Sequence, residues 1–124
     1  MRITQLNHVA LHVEDVEKSC EFYRDVLQLQ QIPRPAFDFP GAWFALGDEG
    51  QQLHLIGERD KPVNSHSRGT HFALRVDHMA EVLKQFRQQG ANFLGPRPRP
   101  DGATQIFLQD PDGHWIELCQ LPEE

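Results

Sequence analysis

A chain of 124 residues with a formal charge of −6, from 12 Lys and Arg against 18 Asp and Glu, has room for one ordinary domain and the wrong sign for a nucleic-acid footprint. Its 39% apolar content supplies a core and excludes a disordered or collagen-like chain. No window approaches a membrane span and Met1 to His8 lack the apolar run of a secretory signal, so the expectation is a soluble, cytoplasmic protein that engages neither nucleic acid nor membrane.

Shifting the sequence against itself by 63 residues aligns its halves without a gap. Twelve of the 61 aligned pairs are identical, among them His8/His71, Ala10/Ala73, Leu11/Leu74, Val13/Val76, Phe44/Phe107, Gly50/Gly113 and Leu55/Leu118. Chance gives roughly three to five at typical composition. The chain therefore reads as one domain made of two modules, about 1–61 and 64–124.

Each module begins with a strand. In 7–13, Val9, Leu11 and Val13 share one face and His8, Ala10 and His12 the other, and 70–76 alternates likewise. A helix follows in each. Asp15 caps a stripe of Val16, Cys20, Tyr23 and Val26/Leu27, while Asp77 caps Met79, Val82, Leu83 and Phe86, and Gly90 stops the helix. The segments 32–35 and 95–100 hold too many prolines for central strands and read as edge strands or extended loops. Cys20 and Cys119 make no disulfide framework and read as small buried hydrophobes.

Each module closes with a hairpin, 42–47 with 51–56 and 104–109 with 114–119. Asp110-Pro111-Asp112-Gly113 suits a three-residue loop with Pro111 leading a type I turn and Gly113 left-handed. That register sets Phe107 opposite Glu117. Turning the first hairpin through Asp48-Glu49-Gly50 sets Phe44 opposite His54, and a loop one residue longer or shorter inverts that assignment.

The repeat sharpens the reading of the polar strand residues. His8 and His54 are 46 apart, as are His71 and Glu117, so four donors occupy two equivalent positions in each module. All four interrupt apolar alternation, which places three imidazoles and a carboxylate on the face away from the helices. A partly buried carboxylate among imidazoles needs compensation, and one divalent ion held by His8, His54, His71 and Glu117 supplies it. Histidine and carboxylate donors without cysteine fit Zn²⁺, Ni²⁺, Co²⁺, Mn²⁺ or Fe²⁺.

With Asn7-His8-Val9-Ala10-Leu11, Thr70-His71-Phe72-Ala73-Leu74 and Asp110-Pro111-Asp112-Gly113-His114-Trp115-Ile116-Glu117-Leu118, the doubled unit resembles the vicinal oxygen chelate superfamily of glyoxalases, extradiol dioxygenases and bleomycin-resistance proteins. The resemblance implies an α+β fold in which duplicated βαβββ modules form a cupped mixed sheet with helices on the outer face. It also implies a homodimer. His8, His71 and Glu117 match the three common metal ligands of that group, and His54 falls on the fourth position. Glyoxalase I commonly has glutamate there, so His54 removes one negative charge and breaks the symmetry of a two-carboxylate proton transfer. Fosfomycin transferases typically have threonine where this chain has Ala10, and extradiol dioxygenases add a tyrosine near the site, whereas the only tyrosine here, Tyr23, lies on a helix.

The function expected is a metal-dependent lyase or isomerase acting on a small oxygen-rich metabolite or thiol conjugate, with Glu117 or His54 as the catalytic base. Phe44 and Phe107 would wall the site, and Arg34, Arg97 and Arg99 would meet a carboxylate or phosphate at its rim. The alternatives are a ligand-sequestering protein without chemistry, an extradiol-type dioxygenase and a fosfomycin-type transferase.

Overall fold

The computed structural model describes residues 1–123 and divides the chain into two units, one from Met1 to Pro62 and one beginning at Val63. In the first unit, β1 (His8–His12) leads to α1 (Val16–Glu21), whose first turn is capped as the sequence predicts: the Asp15 carboxylate accepts from the Lys18 N–H at 3.2 Å. The helix then widens into a π-helical turn over Phe22–Val26, with the Leu27 N–H reaching the Phe22 carbonyl at 3.3 Å. Tyr23 sits in that turn, fully buried, edge-on to Phe22 and 6.2 Å from the ring of Phe44.

The strands β2 (Gln31–Ile32), β3 (Gly41–Leu46) and β4 (Gln51–Ile56) complete a sheet of order β1-β4-β3-β2, parallel only between β1 and β4. The edge strand β2 stops at Ile32, and Pro33 and Pro35 follow it outside the ladder, as their missing N–H groups favour. One expectation fails here. The β3–β4 hairpin turns over the four residues 47–50, Leu46 pairing with Gln51, so Trp43 stands opposite His54 and Phe44 opposite Leu53. One extra loop residue inverts the face of every β3 side chain. Phe44, expected to wall the site, is fully buried in the core with Val13, Leu53 and Leu55.

The second unit repeats the plan with β5 (Phe72–Arg75), α2 (Met79–Gln89), β6 (Leu94–Pro98), β7 (Thr104–Gln109) and β8 (Trp115–Gln120), in the order β5-β8-β7-β6. Gly90 ends α2 in the left-handed conformation at φ +68, as expected. Asp77 does not cap it. The cap residue is His78, without a side-chain bond, and the first helical N–H, of Met79, instead donates to Oε1 of Gln120 at 2.7 Å. A side chain from β8 has taken over an orphan donor that local sequence assigned to Asp77.

The β7–β8 turn is the one expected. The Asp110 carboxylate accepts from the N–H groups of Asp112 and His114, both at 2.9 Å, Gly113 takes φ +92, and Phe107 pairs with Glu117. Pairing partners show where the repeat is out of step: His54 and Glu117 differ by 117 − 54 = 63, but their opposites Trp43 and Phe107 by 107 − 43 = 64. The identity Phe44/Phe107 thus joins residues on opposite faces of their sheets. Phe86, Ile106, Leu108 and Ile116 are the largest fully buried side chains among the described residues of this unit, each worth about 1.5–3 kcal/mol. Both cysteines are free and buried.

Candidate metal and substrate centre

Each unit brings together two of the four donors. In the first, the imidazole of His54 is sandwiched: Trp43 lies on one side at 3.9 Å between centroids and 3° between planes, and His8 stacks on it at 4.1 Å and 18°. Their hydrogen bonds set the tautomers. Nδ1 of His8 donates to Oδ1 of Asn7 at 2.8 Å, which leaves the lone pair on Nε2. Nε2 of His54 donates to Oε1 of Gln52 at 2.8 Å, which leaves its lone pair on Nδ1. Burial, then the neighbouring His8 and Arg34, holds the His54 pKa below its ordinary 6.5. His54 is therefore a neutral base at neutral pH.

In the second unit, Nδ1 of His71 donates to the Gly69 carbonyl at 3.0 Å, and Nε2 faces Oε1 of Glu117 at 3.0 Å. Glu117 is buried, with 6% of its side chain exposed. Its other oxygen, Oε2, accepts from Nε2 of Gln105 at 3.0 Å and lies 3.6 Å from Nη1 of Arg99. Phe107 meets His71 edge-on at 5.6 Å, and the guanidinium of Arg97 lies 5.4 Å from the centre of the Phe107 ring. Arg99 does not reach out freely at a rim. Its Nε and Nη2 grip the two oxygens of Asp101 at 2.8 and 2.6 Å, and that grip, with the Ala103 N–H, holds the Asp101 carboxyl down at about 2.

Trp43, Gln52, Asp101 and Gln105 were missing from the expected site. Gln105 was recoverable, because strand alternation puts it on the same face of β7 as Phe107. Trp43 was hidden by the length of one loop. A further cluster borders His54 in the first unit: the Arg34 guanidinium lies 4.8 and 4.9 Å from the rings of Phe37 and Phe39, and Phe37 contacts Trp43.

The donor chemistry fits a divalent ion. Nδ1 of His71 is held by the Gly69 carbonyl, and its Nε2 is paired with the buried Glu117 carboxylate at 3.0 Å, two side chains whose types are ordinary ligands of a divalent ion. Histidine fixed by its second nitrogen is also how metal-binding imidazoles are usually oriented, and His8 shows the same pattern through Asn7. Among the described residues, no three His, Cys, Asp or Glu side chains are grouped closely enough to hold a metal. One unit contributes a pair of donors and no more.

The chain matches the family model of the Glyoxalase/Bleomycin resistance protein/Dioxygenase superfamily over residues 5–118, and it belongs to that family. It is 31% identical over 124 residues to the Lactoylglutathione lyase of Escherichia coli O157:H7, covering 94% of this chain and 92% of the relative. Glyoxylase I 4 of Arabidopsis thaliana is 30% identical over 127 residues, 96% of this chain and 72% of that one. Among solved structures, a protein from Bacillus anthracis assigned to the glyoxalase family superposes with a TM-score of 0.83 at 26% identity, covering 98% of this chain and all of the other. The α+β fold of duplicated βαβββ units is that of these structures. No described helix is long and apolar enough to cross a membrane.

Proposed function

We propose that His8, His54, His71 and Glu117 together take up one divalent cation and that the protein is a metal-dependent isomerising lyase acting on a thiol adduct of a 2-oxoaldehyde or a related α-hydroxycarbonyl. The observation that supports this reading is the buried pairing of His71 Nε2 with Glu117 Oε1 at 3.0 Å, the other ring nitrogen of His71 being fixed by the Gly69 carbonyl. Each unit supplies two of the four donors. Two relatives of about 30% identity, a lactoylglutathione lyase and a glyoxylase I, support the substrate class. The cation would polarise the substrate's neighbouring oxygens and stabilise the negative charge that develops there.

The chain's own residues then move one proton. A base takes the C–H proton of the thiohemiacetal carbon, the electron pair becomes an enediolate, and return of a proton to the neighbouring carbon leaves a thioester and a secondary alcohol. No oxidant is consumed. Glu117 is one candidate, and His54 is the other, acting through Nδ1 once that nitrogen has left the cation. Phe107 and Trp43 would exclude water from the reacting carbons, and Arg97 would meet an anionic end of the substrate.

Protein loaded with Zn²⁺, Ni²⁺ or Co²⁺ and given the glutathione adduct of methylglyoxal should form thioester and, in D₂O, carry solvent deuterium into the product. Loss of exchange in Glu117→Gln with retention in His54→Ala identifies Glu117 as base, and the reverse identifies His54. Absence of turnover and exchange with every loaded metal contradicts the reading. A second reading, ligand sequestration, is favoured by the aromatic surfaces of Phe37, Phe39, Trp43 and His54. It predicts stoichiometric binding of a planar ligand with no product.

A further inference from the structure

The segment 33–40, between β2 and β3, is folded by its own bonds. Nη2 of Arg34 donates to the Phe39 carbonyl at 2.8 Å, and the Phe37 N–H donates to the Pro35 carbonyl at 2.9 Å. The rings of Phe37 and Phe39 stack at 5.1 Å, with the guanidinium of Arg34 against both. Gly41 makes room for that guanidinium, because a Cβ there would come to 3.0 Å from Nε and Nη2. Taking a cation partly out of water is favoured when an anion pairs with it. Among the described residues no carboxylate pairs with the half-buried Arg34, Asp38 included, and its one hydrogen bond is to a backbone carbonyl. The rings beside it are unevenly covered. Trp43 has His54 flat against it, whereas Phe37 meets the indole at a tilt of 49° and keeps 46% of its surface exposed.

We propose that Arg34, Phe37 and Trp43 form a binding site for an aromatic carboxylate. The ligand's ring lies against Phe37 and Trp43, and its carboxylate accepts from Nη1 and the remaining N–H of Nη2, one edge of the guanidinium fork. The chain's net charge of −6 repels anions at long range, so a carboxylate bound here is held by Arg34 and not by the general field. The site needs no cation and no turnover. It rests on the sequestration reading for the planar shape of its ligand and deepens that reading by giving the ligand a charge.

Calorimetric titration of the full chain with 2-naphthoate in the presence of EDTA tests it. One molecule per chain should bind, with affinity falling about tenfold or more in Arg34→Gln and in Phe37→Ala. Cyclohexanecarboxylate, with the charge but no aromatic face, and 2-naphthylmethanol, with the rings but no charge, should each bind about tenfold or more weakly than 2-naphthoate. If circular dichroism shows that Arg34→Gln does not fold, Arg34→Lys, which keeps the charge and loses the fork, takes its place. Naphthylmethanol bound as tightly as naphthoate overturns the proposal while leaving a site for planar ligands. Affinity for naphthoate unchanged in the Arg34 variant or in Phe37→Ala overturns it, as does the absence of saturable binding. Self-association of the parent chain that is lost in Phe37→Ala, read by sedimentation, overturns it too, since a second copy then covers these rings. EDTA keeps all these outcomes apart from the lyase reading, whose failure is read from the metal-loaded protein.

Discussion

The indole of Trp43 and the imidazole of His54 lie face to face, 3.9 Å apart and 3° from parallel, on neighbouring strands where the sequence suggested that Phe44 would stand. The stack orients the one imidazole whose Nε2 donates to Gln52, and it places a flat apolar surface beside the candidate centre. Phe44 serves the core instead. Substitutions at these adjacent positions should therefore differ sharply. Trp43→Leu keeps an apolar side chain on this half-buried position and loses the aromatic contact, about 0.5–1.5 kcal/mol beyond the apolar area given up. Phe44→Ala opens a cavity beside Tyr23 and Leu53 and should cost about 3–5 kcal/mol. Urea unfolding of both variants checks the order, and a milder effect for Phe44→Ala would show that the two faces of β3 are reversed.

The environment of His54 predicts a titration. Burial, then its neighbours His8 and Arg34, keep its pKa below 6.5, so the folded protein binds fewer protons at this site than the unfolded chain between the folded value and 6.5. This contribution to stability is full above 6.5 and is lost as pH falls through the folded pKa. Histidine resonances of the metal-free protein followed by NMR should place His54 below 6.5, and Arg34→Gln should raise it. An unchanged value in that variant would mean that Arg34 does not act on the ring.

The Arg99–Asp101 pair makes the opposite end of the pH scale informative. Asp101 is held at about 2 against 3.8 for a free carboxyl, so the unfolded chain binds the proton more readily between these values. The pair's contribution is present above 3.8 and disappears as pH falls through about 2. Acid unfolding of Arg99→Gln should accordingly depend less steeply on pH in that interval than the parent protein. Equal slopes would show that Arg99 is not what depresses Asp101.

Much of this arrangement is written in local sequence, and its gaps have a common origin. Asp15, Gly90 and the turn 110–113 act through their own backbone neighbours, and the structure has all three where short-range chemistry puts them. Alternation likewise places Leu53, Leu55, Ile116 and Leu118 in the core. What sequence could not reveal depends on counts or reach across the chain. A four-residue turn in place of a three-residue one exchanged Trp43 for Phe44, and Gln120 displaced Asp77 as the partner of α2 from 41 residues away. The capture of Arg99 by Asp101 is local but competes with the substrate role its charge suggested, and charge alone does not decide between them.

The account stands on the four donors acting together, and metal uptake tests that most directly. Protein purified under reducing conditions without added metal would be dialysed against buffered Zn²⁺, Ni²⁺ and Co²⁺ and measured by elemental analysis, beside Glu117→Gln, His71→Ala, His8→Ala and His54→Ala. The account predicts one ion per chain, with affinity falling about tenfold or more, ~1.4 kcal/mol or more, in Glu117→Gln and His71→Ala. His8→Ala should weaken it too, although His8 belongs to the other unit, and retention in His54→Ala alone would remove only the fourth donor. A parent protein that takes up no divalent ion, or one whose uptake is the same in Glu117→Gln, His71→Ala and His8→Ala, would contradict it.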